Sequence, residues 1–225
     1  NPLNLFYASK AGDMAWGVGL NYSNSDKKTA KQKQSAMGLT GGVAMGNWDA
    51  ALDLGLTNTY KDESVAANTI DFKGTSAIGL SGKYTMDTLT FDAEYAMNGG
   101  KEETSSAAVA DRKYENTGLG LGVVNSVKKD GTDFFYGARY EMYTLKEKEA
   151  GAKTEASYMP IFVGIEADAT SWMVLRASVQ QNFLLGSEKT DTGAPGFNAE
   201  SDTIGNDTVV AAGAGLKFGK LSIDG

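Results

Sequence analysis

The sequence predicts an all-β fold of antiparallel strands that follow one another along the chain. The first observation is that apolar residues recur at every second position in segment after segment of the 225 residues, which is the period of a strand. The second is that tight-turn signals and long polar segments separate these stretches alternately. The third is composition: 28 Gly accompany only 3 Pro, and no apolar run is long enough for a membrane-spanning helix.

The hairpin at residues 36–57 shows the pattern most clearly. Two strands flank the turn Gly46-Asn47, and each places apolar side chains on one face and small or charged side chains on the other. The apolar positions are Met37, Leu39, Val43, Met45, Trp48, Ala50, Leu52, Leu54 and Leu56. A long apolar face with a tryptophan beside the tight turn is typical of a hairpin that crosses a lipid bilayer.

Twelve segments carry the alternation, and each is predicted to be a strand. In chain order they span residues 3–7, 14–22, 36–45, 48–57, 70–80, 89–97, 118–123, 134–142, 159–167, 173–183, 210–218 and 221–223. Tight turns are expected at 10–13, 46–47, 85–88, 129–131, 169–171 and 219–220, and long polar loops at 24–33, 61–68, 99–112, 146–155 and 186–206. In 70–80 the apolar positions share one face more weakly, because small residues interrupt them: Ile70, Phe72, Ile78 and Leu80.

Either lipid or the protein's own core could cover the apolar faces. A water-soluble barrel or sandwich, the main alternative, would place Lys, Glu and Thr on the opposite face. That face instead carries mainly Gly, Ala, Ser and Thr with isolated charges, while Lys and Glu concentrate in the loops. We therefore predict a transmembrane antiparallel up-and-down β-barrel with about twelve visible strands, short periplasmic turns and long extracellular loops.

The aromatic residues agree with this prediction. The three Trp lie within a few residues of tight turns, whereas several Tyr lie toward the long loops. Such rings prefer the interface between hydrocarbon and water, so two aromatic belts are expected. Their predicted members are Trp16, Trp48, Trp172, Tyr22, Tyr60, Tyr95 and Tyr140. The alternative is that aromatic residues are simply common in strands.

The hairpin alternation, the aromatic placement and the turn and loop asymmetry resemble the porin-like outer-membrane β-barrels of Gram-negative bacteria. The resemblance covers the whole chain and is architectural, since no segment matches the signature of one porin family. It implies an outer-membrane location with membrane lipid and lipopolysaccharide as partners. Such barrels begin and end in the periplasm, so we expect one barrel domain over 1–225 that lacks a strand at each end and has about fourteen in all. Twelve strands that close by themselves are the alternative.

The face opposite the apolar one is predicted to line the lumen. Its charged residues are Asp49, Asp53, Asp71, Lys73, Lys83, Asp92, Glu94, Arg139, Glu141, Glu166, Asp168, Arg176 and Lys217. More of them are acids than bases, which favours cations in a pore, although pairs across neighbouring strands would hold the barrel shut instead. Arg139 and Arg176, flanked by Glu141 and Glu166, are the best candidates for a ladder or constriction. Phe135, Tyr158 and Phe162 are the apolar members of this face.

Composition excludes several other functions. The net charge is −7, which argues against a nucleic-acid partner. The chain has no His and no Cys, so we predict no enzyme activity, no cofactor and no metal site. The leading hypothesis is a passive channel for small hydrophilic solutes and ions with weak cation preference. A structural or adhesive barrel with a plugged lumen and partner-binding loops is the alternative, and a homo-oligomer stays open.

Overall fold

The computed structural model describes residues 2–65, 69–106, 111–147, 152–185, 188–191, 198–201, 207–218 and 221–224. The strands in these segments are β1 (Pro2–Ala11), β2 (Met14–Lys27), β3 (Gln32–Met45), β4 (Trp48–Asp62), β5 (Ile70–Gly74), β6 (Ala77–Met86), β7 (Leu89–Thr104), β8 (Arg112–Lys129), β9 (Thr132–Glu147), β10 (Ala152–Thr170), β11 (Met173–Leu184), β12 (Glu188–Asp191), β13 (Asn198–Ser201), β14 (Thr208–Phe218) and β15 (Leu221–Asp224). No helix in these segments is long and apolar enough to cross a membrane. The all-β prediction is confirmed.

The strands form one antiparallel meander with twelve positions. β5 and β6 together fill the position between β4 and β7. β6 pairs with the part of β4 next to the turn at Gly46-Asn47, and β5 pairs with the part of β4 far from that turn. The hairpin of β12 and β13 pairs with the start of β10, and β11 pairs with β14. β1 and β15 form the two ends of the strand order, and no pairing joins them in the described part of the chain.

Local sequence explains the tight turns. Gly46 has φ of 58° and Gly131 has φ of 74°, which is the left-handed conformation that glycine adopts without steric cost. Asp87 and Asp130 adopt it as well, with φ of 53° and 49°, in keeping with the tolerance of aspartate for this region. These two-residue connections fix the register of the flanking strands, so each hairpin keeps its apolar side chains on one face.

The sheet has two chemically different faces. One face, which we call the outer face, carries apolar residues that stand directly opposite one another on five neighbouring strands, in the row Leu52, Leu80, Tyr95, Leu119 and Met142. On the opposite face, which we call the inner face, the neighbouring row contains Asp53, Gly79, Ala96, Gly118 and Tyr143. Among the described residues, only Ala156 and Val174 are buried apolar residues, at 3% and 1% exposure. A water-soluble sandwich would bury its apolar face in a packed core, and this sheet does not.

The strands extend further into polar sequence than predicted. β9 ends at Glu147 and β10 begins at Ala152, so most of the loop predicted at 146–155 is strand. β12 and β13 lie within the loop predicted at 186–206, whose remaining residues are outside the described segments. β10 is 19 residues long, whereas about ten residues cross the hydrocarbon of an outer membrane. The sheet therefore continues beyond the length that a membrane requires.

Two breaks in regularity move predicted residues to the other face. The register of β3 and β4 shifts between two successive residue pairs, Met37 with Thr57 and Gly38 with Gly55. Leu56 is therefore an extra residue in a β-bulge. The chain also leaves the sheet between β5 and β6. Consequently Ile70 and Phe72 do not share a face with Ile78 and Leu80, which corrects the prediction for 70–80.

Candidate functional site: the charged inner face

A row of charged side chains crosses the inner face near the tight-turn ends of the strands. Asp49 on β4 lies opposite Lys83 on β6, and Lys83 lies opposite Asp92 on β7. The row continues through Gly122 on β8 to Arg139 on β9. Because strands antiparallel to one another share faces at directly opposed positions, these side chains all project from the same side of the sheet. The Lys83 ammonium is 3.5 Å from the Asp49 carboxylate.

Arg139 is the centre of the largest group of ion pairs on this face. Its guanidinium contacts Asp92, lies 2.6 Å from Glu94 and lies 3.2 Å from Glu141. The side chain of Arg139 is 21% exposed, whereas that of Glu94 is 60% exposed. One guanidinium therefore serves three carboxylates, and the group carries an excess of negative charge that faces solvent.

Glycines on β8 make room for this group. A Cβ at Gly120 would contact the Arg139 guanidinium and would come within 2.9 Å of the Glu94 side chain. A Cβ at Gly122 would contact the Asp92 carboxylate. The sequence Gly118, Gly120, Gly122 is therefore explained at its last two positions by the close packing of charged neighbours against a bare strand.

Smaller polar groups lie along the same face. The Glu166 carboxylate is 2.7 Å from the Arg176 guanidinium across β10 and β11. The Thr40 hydroxyl donates a hydrogen bond to the Asp53 carboxylate. Arg139 and Arg176, which the sequence grouped as one ladder, thus belong to separate groups on different strands.

The inner face brings together most of the predicted lumen residues. Ten of them share it, namely Asp49, Asp53, Lys83, Asp92, Glu94, Arg139, Glu141, Glu166, Asp168 and Arg176. Lys73 and Asp71 do not: Lys73 lies opposite Lys101 and Asp71 opposite Glu103, on the face of β7 that carries Phe91 and Tyr95. The side chain of Lys217 lies outside the described part of the structure.

A cavity of about 690 Å³ lies on the inner face beside the Arg139 group. Its charged lining residues are Asp53, Glu94 and Glu141. Tyr143 and Tyr158 also line it, with ring centroids 6.3 Å apart and planes only 13° from parallel. Sequence reasoning placed Tyr158 on this face and overlooked Tyr143, although Tyr143 follows Glu141 by two residues and shares its side of β9.

Comparison with known proteins identifies the architecture. No protein-family model and no curated protein sequence matches the chain. The structure is similar to that of OmpT, an outer membrane protein of Vibrio cholerae solved in its trimer form, with a TM-score of 0.54, 15% identity and coverage of 94% of this chain. The fold is that of an outer-membrane porin. A loop L8 deletion mutant of OmpT is similar over 80% of this chain and 56% of its own, with 16% identity and a TM-score of 0.48.

At this level of identity the likeness extends to the fold alone. The chain spans 63% of the length of the OmpT chain. In a porin fold the outer face of the strands contacts lipid and the inner face surrounds the lumen. The alternation read from the sequence therefore assigns the apolar row to the outer face of a porin-type sheet.

The predicted aromatic belt residues occupy different places on this porin-type sheet. Trp16 and Trp48 lie on the outer face near tight turns, and Trp172 lies in the turn between β10 and β11. Tyr22 and Tyr140 are on the outer face. Tyr95 is also on the outer face, in the middle of the apolar row between Leu80 and Leu119. Tyr60 is on the inner face, because the bulge at Leu56 reverses the facing of the end of β4.

The long-loop end of the outer face carries charges in place of apolar residues. Lys101 is 3.0 Å from Glu103 and 3.2 Å from Asp111, and Lys73 is 3.4 Å from Glu103. In the loop before β8, the hydrogen bond from Lys101 lowers the pKa of the Asp111 carboxyl. The change from apolar to charged side chains along these strands marks where the lipid-facing part of a porin-type sheet ends.

Proposed function

We propose that this chain forms an outer-membrane channel of a Gram-negative bacterium for passive diffusion of small hydrophilic solutes and ions, with weak cation preference. The observation that carries the proposal is the division of the sheet into an apolar outer face and a charged inner face, without a packed core in the described segments. Closure of the sheet around the inner face is part of the proposal, since lipid cannot satisfy open strand edges. No enzymatic step is included.

The charge of the inner face supports the cation preference. Among the ten predicted residues found there, the seven carboxylates are Asp49, Asp53, Asp92, Glu94, Glu141, Glu166 and Asp168, and the three bases are Lys83, Arg139 and Arg176. Ion pairs cancel much of this charge locally, so the remaining field is modest. Charged groups lining a pore set its ion preference, and this excess favours cations weakly.

A conductance measurement tests the channel directly. Purified protein added to a planar lipid bilayer should produce discrete steps of current in potassium chloride. Preparations that are folded, as judged by the β-sheet signal in circular dichroism, and yet give no steps would contradict the channel. That result would favour the alternative of a barrel with a plugged lumen.

Replacing three inner-face acids should reduce the cation preference. In the triple variant D49N, D53N and D92N, the inner face loses three negative charges while each side chain keeps its size. We expect the cation-to-anion permeability ratio, measured from reversal potentials in a salt gradient, to fall by about twofold or more. Asp26→Asn is a control, because Asp26 is an exposed acid at the loop end of β2, on the outer face. An unchanged reversal potential in the triple variant would refute the charge assignment.

The lipid and subunit partners are also proposals. The apolar outer face would contact membrane lipid and lipopolysaccharide. OmpT was solved in a trimer form, and we propose that this chain also forms a homo-oligomer. Light scattering of the protein in detergent, with the detergent mass subtracted, should give a multiple of the monomer mass.

A further inference from the structure

The cavity beside the Arg139 group combines three features that the passive channel does not require. It has carboxylates on two sides, namely Asp53 on β4 and Glu94 and Glu141 on β7 and β9. It has an aromatic wall formed by the nearly parallel rings of Tyr143 and Tyr158. Between them, the sheet itself is almost bare.

The bare part of the sheet gives the cavity its depth. The row that runs from Asp53 to Tyr143 passes through Gly79, Ala96 and Gly118, so no long side chain stands between the carboxylate and the ring. At Gly118 an added Cβ would meet no atom within 4 Å, which shows that the space above it is open. A volume of about 690 Å³ lies within the range of small-molecule sites and far exceeds the roughly 30 Å³ that one water occupies.

The charge of the lining selects the sign of a ligand. Arg139 uses its guanidinium on Asp92, Glu94 and Glu141 together, so a single positive charge is divided among three negative ones. Asp53 accepts a hydrogen bond from Thr40 and has no ion pair with any described residue. A cation that enters the cavity therefore meets carboxylates that are incompletely neutralised.

The aromatic wall selects the shape of the ligand. Tyr143 is 40% exposed, so much of its surface is open to a neighbour. A flat ring would stack on such a surface, and an ammonium group would be attracted to the ring face. A hydrated potassium ion uses neither feature fully, whereas an organic cation with an aromatic group uses both.

We propose that this cavity is a binding site for organic cations that carry an ammonium group next to an aromatic ring. The ammonium lies among Asp53, Glu94 and Glu141, and the ring lies against Tyr143 and Tyr158. The inference rests on the proposed channel for the route of entry, and it adds a ligand class to the same lumen. Occupation of the cavity narrows the path past the Arg139 group and interrupts ion flow.

Current block by phenethylammonium tests the site in the full chain. In a planar bilayer with potassium chloride, phenethylammonium should reduce the current with an inhibition constant about threefold to tenfold lower than that of butylammonium, which lacks the ring. Benzyl alcohol, which has a ring but no charge, should not reduce it at the same concentration. Equal block by the two ammonium ions would overturn the inference and would leave the channel intact.

Two variants and two matched controls locate the site. Tyr143→Leu should remove most of the advantage of phenethylammonium over butylammonium, and Glu94→Gln should weaken block by both ions. Tyr84→Leu also removes a tyrosine ring, from the outer face, and Asp26→Asn removes an outer-face carboxylate. Neither control should change the inhibition constants. Control variants that weaken block as much as Tyr143→Leu and Glu94→Gln would overturn the location.

Calorimetry separates the failure of this inference from that of the channel. Titration of phenethylammonium into the folded protein in detergent measures binding whether or not the protein conducts. If the heat of binding disappears in Tyr143→Leu and persists in Tyr84→Leu, the site is supported even when no current steps are seen. Absence of saturable heat in the unmodified protein overturns the inference, whereas current steps would still support the channel.

Discussion

Replacing Arg139 with glutamine should raise the cation-to-anion permeability ratio by about twofold to fourfold. The change removes the one guanidinium that contacts Asp92, Glu94 and Glu141 and leaves their three charges in place. One unit charge at about 5 Å in water changes the energy of a passing ion by roughly 0.8 kcal/mol, which is about fourfold in local concentration before screening by salt. Reversal potentials in a salt gradient measure the ratio, and the shift should be larger in dilute salt.

Arg139→Lys is the matched control for this prediction. It keeps the charge, so the permeability ratio should stay near that of the unmodified protein. Lysine has no planar fork of donors and cannot hold three carboxylates in the same way, so the lysine variant should unfold at a lower denaturant concentration. A glutamine variant with an unchanged ratio, or one that shifts toward anions, would show that Arg139 does not lie beside the ion path.

The sequence predicted the faces of the sheet well because facing is a local property. Within one strand, two residues that are two apart share a face, so Asp92 and Glu94 could be assigned together without knowledge of any other strand. Tight turns such as Gly46-Asn47 carried this alternation from one strand to the next. Ten of the predicted inner residues depend only on such short steps.

The misplaced residues lie beyond a break in the alternation. Tyr60 follows the extra residue Leu56, and Lys73 precedes the gap between β5 and β6. One inserted residue reverses the facing of everything after it, and the sequence marks a bulge only weakly. Polar strand ends were missed for a related reason: backbone pairing reaches Glu147 on β9 and Ala152 on β10, in polar sequence where no apolar face requires an alternating pattern.

The grouping of charges could not be read from the sequence at all. Arg139 and Asp92 are 47 residues apart, and their contact depends on the combined register of two strand pairs, β7 with β8 and β8 with β9. A parity argument places both on the inner face but does not say that they lie in the same row. The same applies to the stacking of Tyr143 on Tyr158, since their register is set by the pairing of β9 with β10.

Substituting alanine for the inner-face glycines that lie under phenylalanine rings should destabilise the folded protein by about 1 to 3 kcal/mol. An added Cβ at Gly164 would overlap the ring of Phe135 on the neighbouring strand. At Gly137 the Cβ would overlap the backbone carbonyl oxygen of Val123 and would lie 2.8 Å from the ring of Phe162. Denaturant unfolding of the protein in lipid vesicles measures the loss.

Gly118→Ala is the matched control for these two glycine substitutions, because a Cβ there meets no atom within 4 Å. It should be neutral or stabilising by about 0.5 kcal/mol, since alanine loses less backbone entropy than glycine on folding.

The two destabilised variants, Gly164→Ala and Gly137→Ala, should differ in whether a second substitution restores their stability. The atoms nearest the new Cβ in Gly164→Ala all belong to the Phe135 ring, so adding Phe135→Leu should recover most of the lost stability. Gly137→Ala also meets the backbone of β8, which cannot move without breaking its pairing, so adding Phe162→Leu should recover little. Equal rescue of both variants would show that ring contacts, and not the approach of the β8 backbone, determine which inner-face positions require glycine.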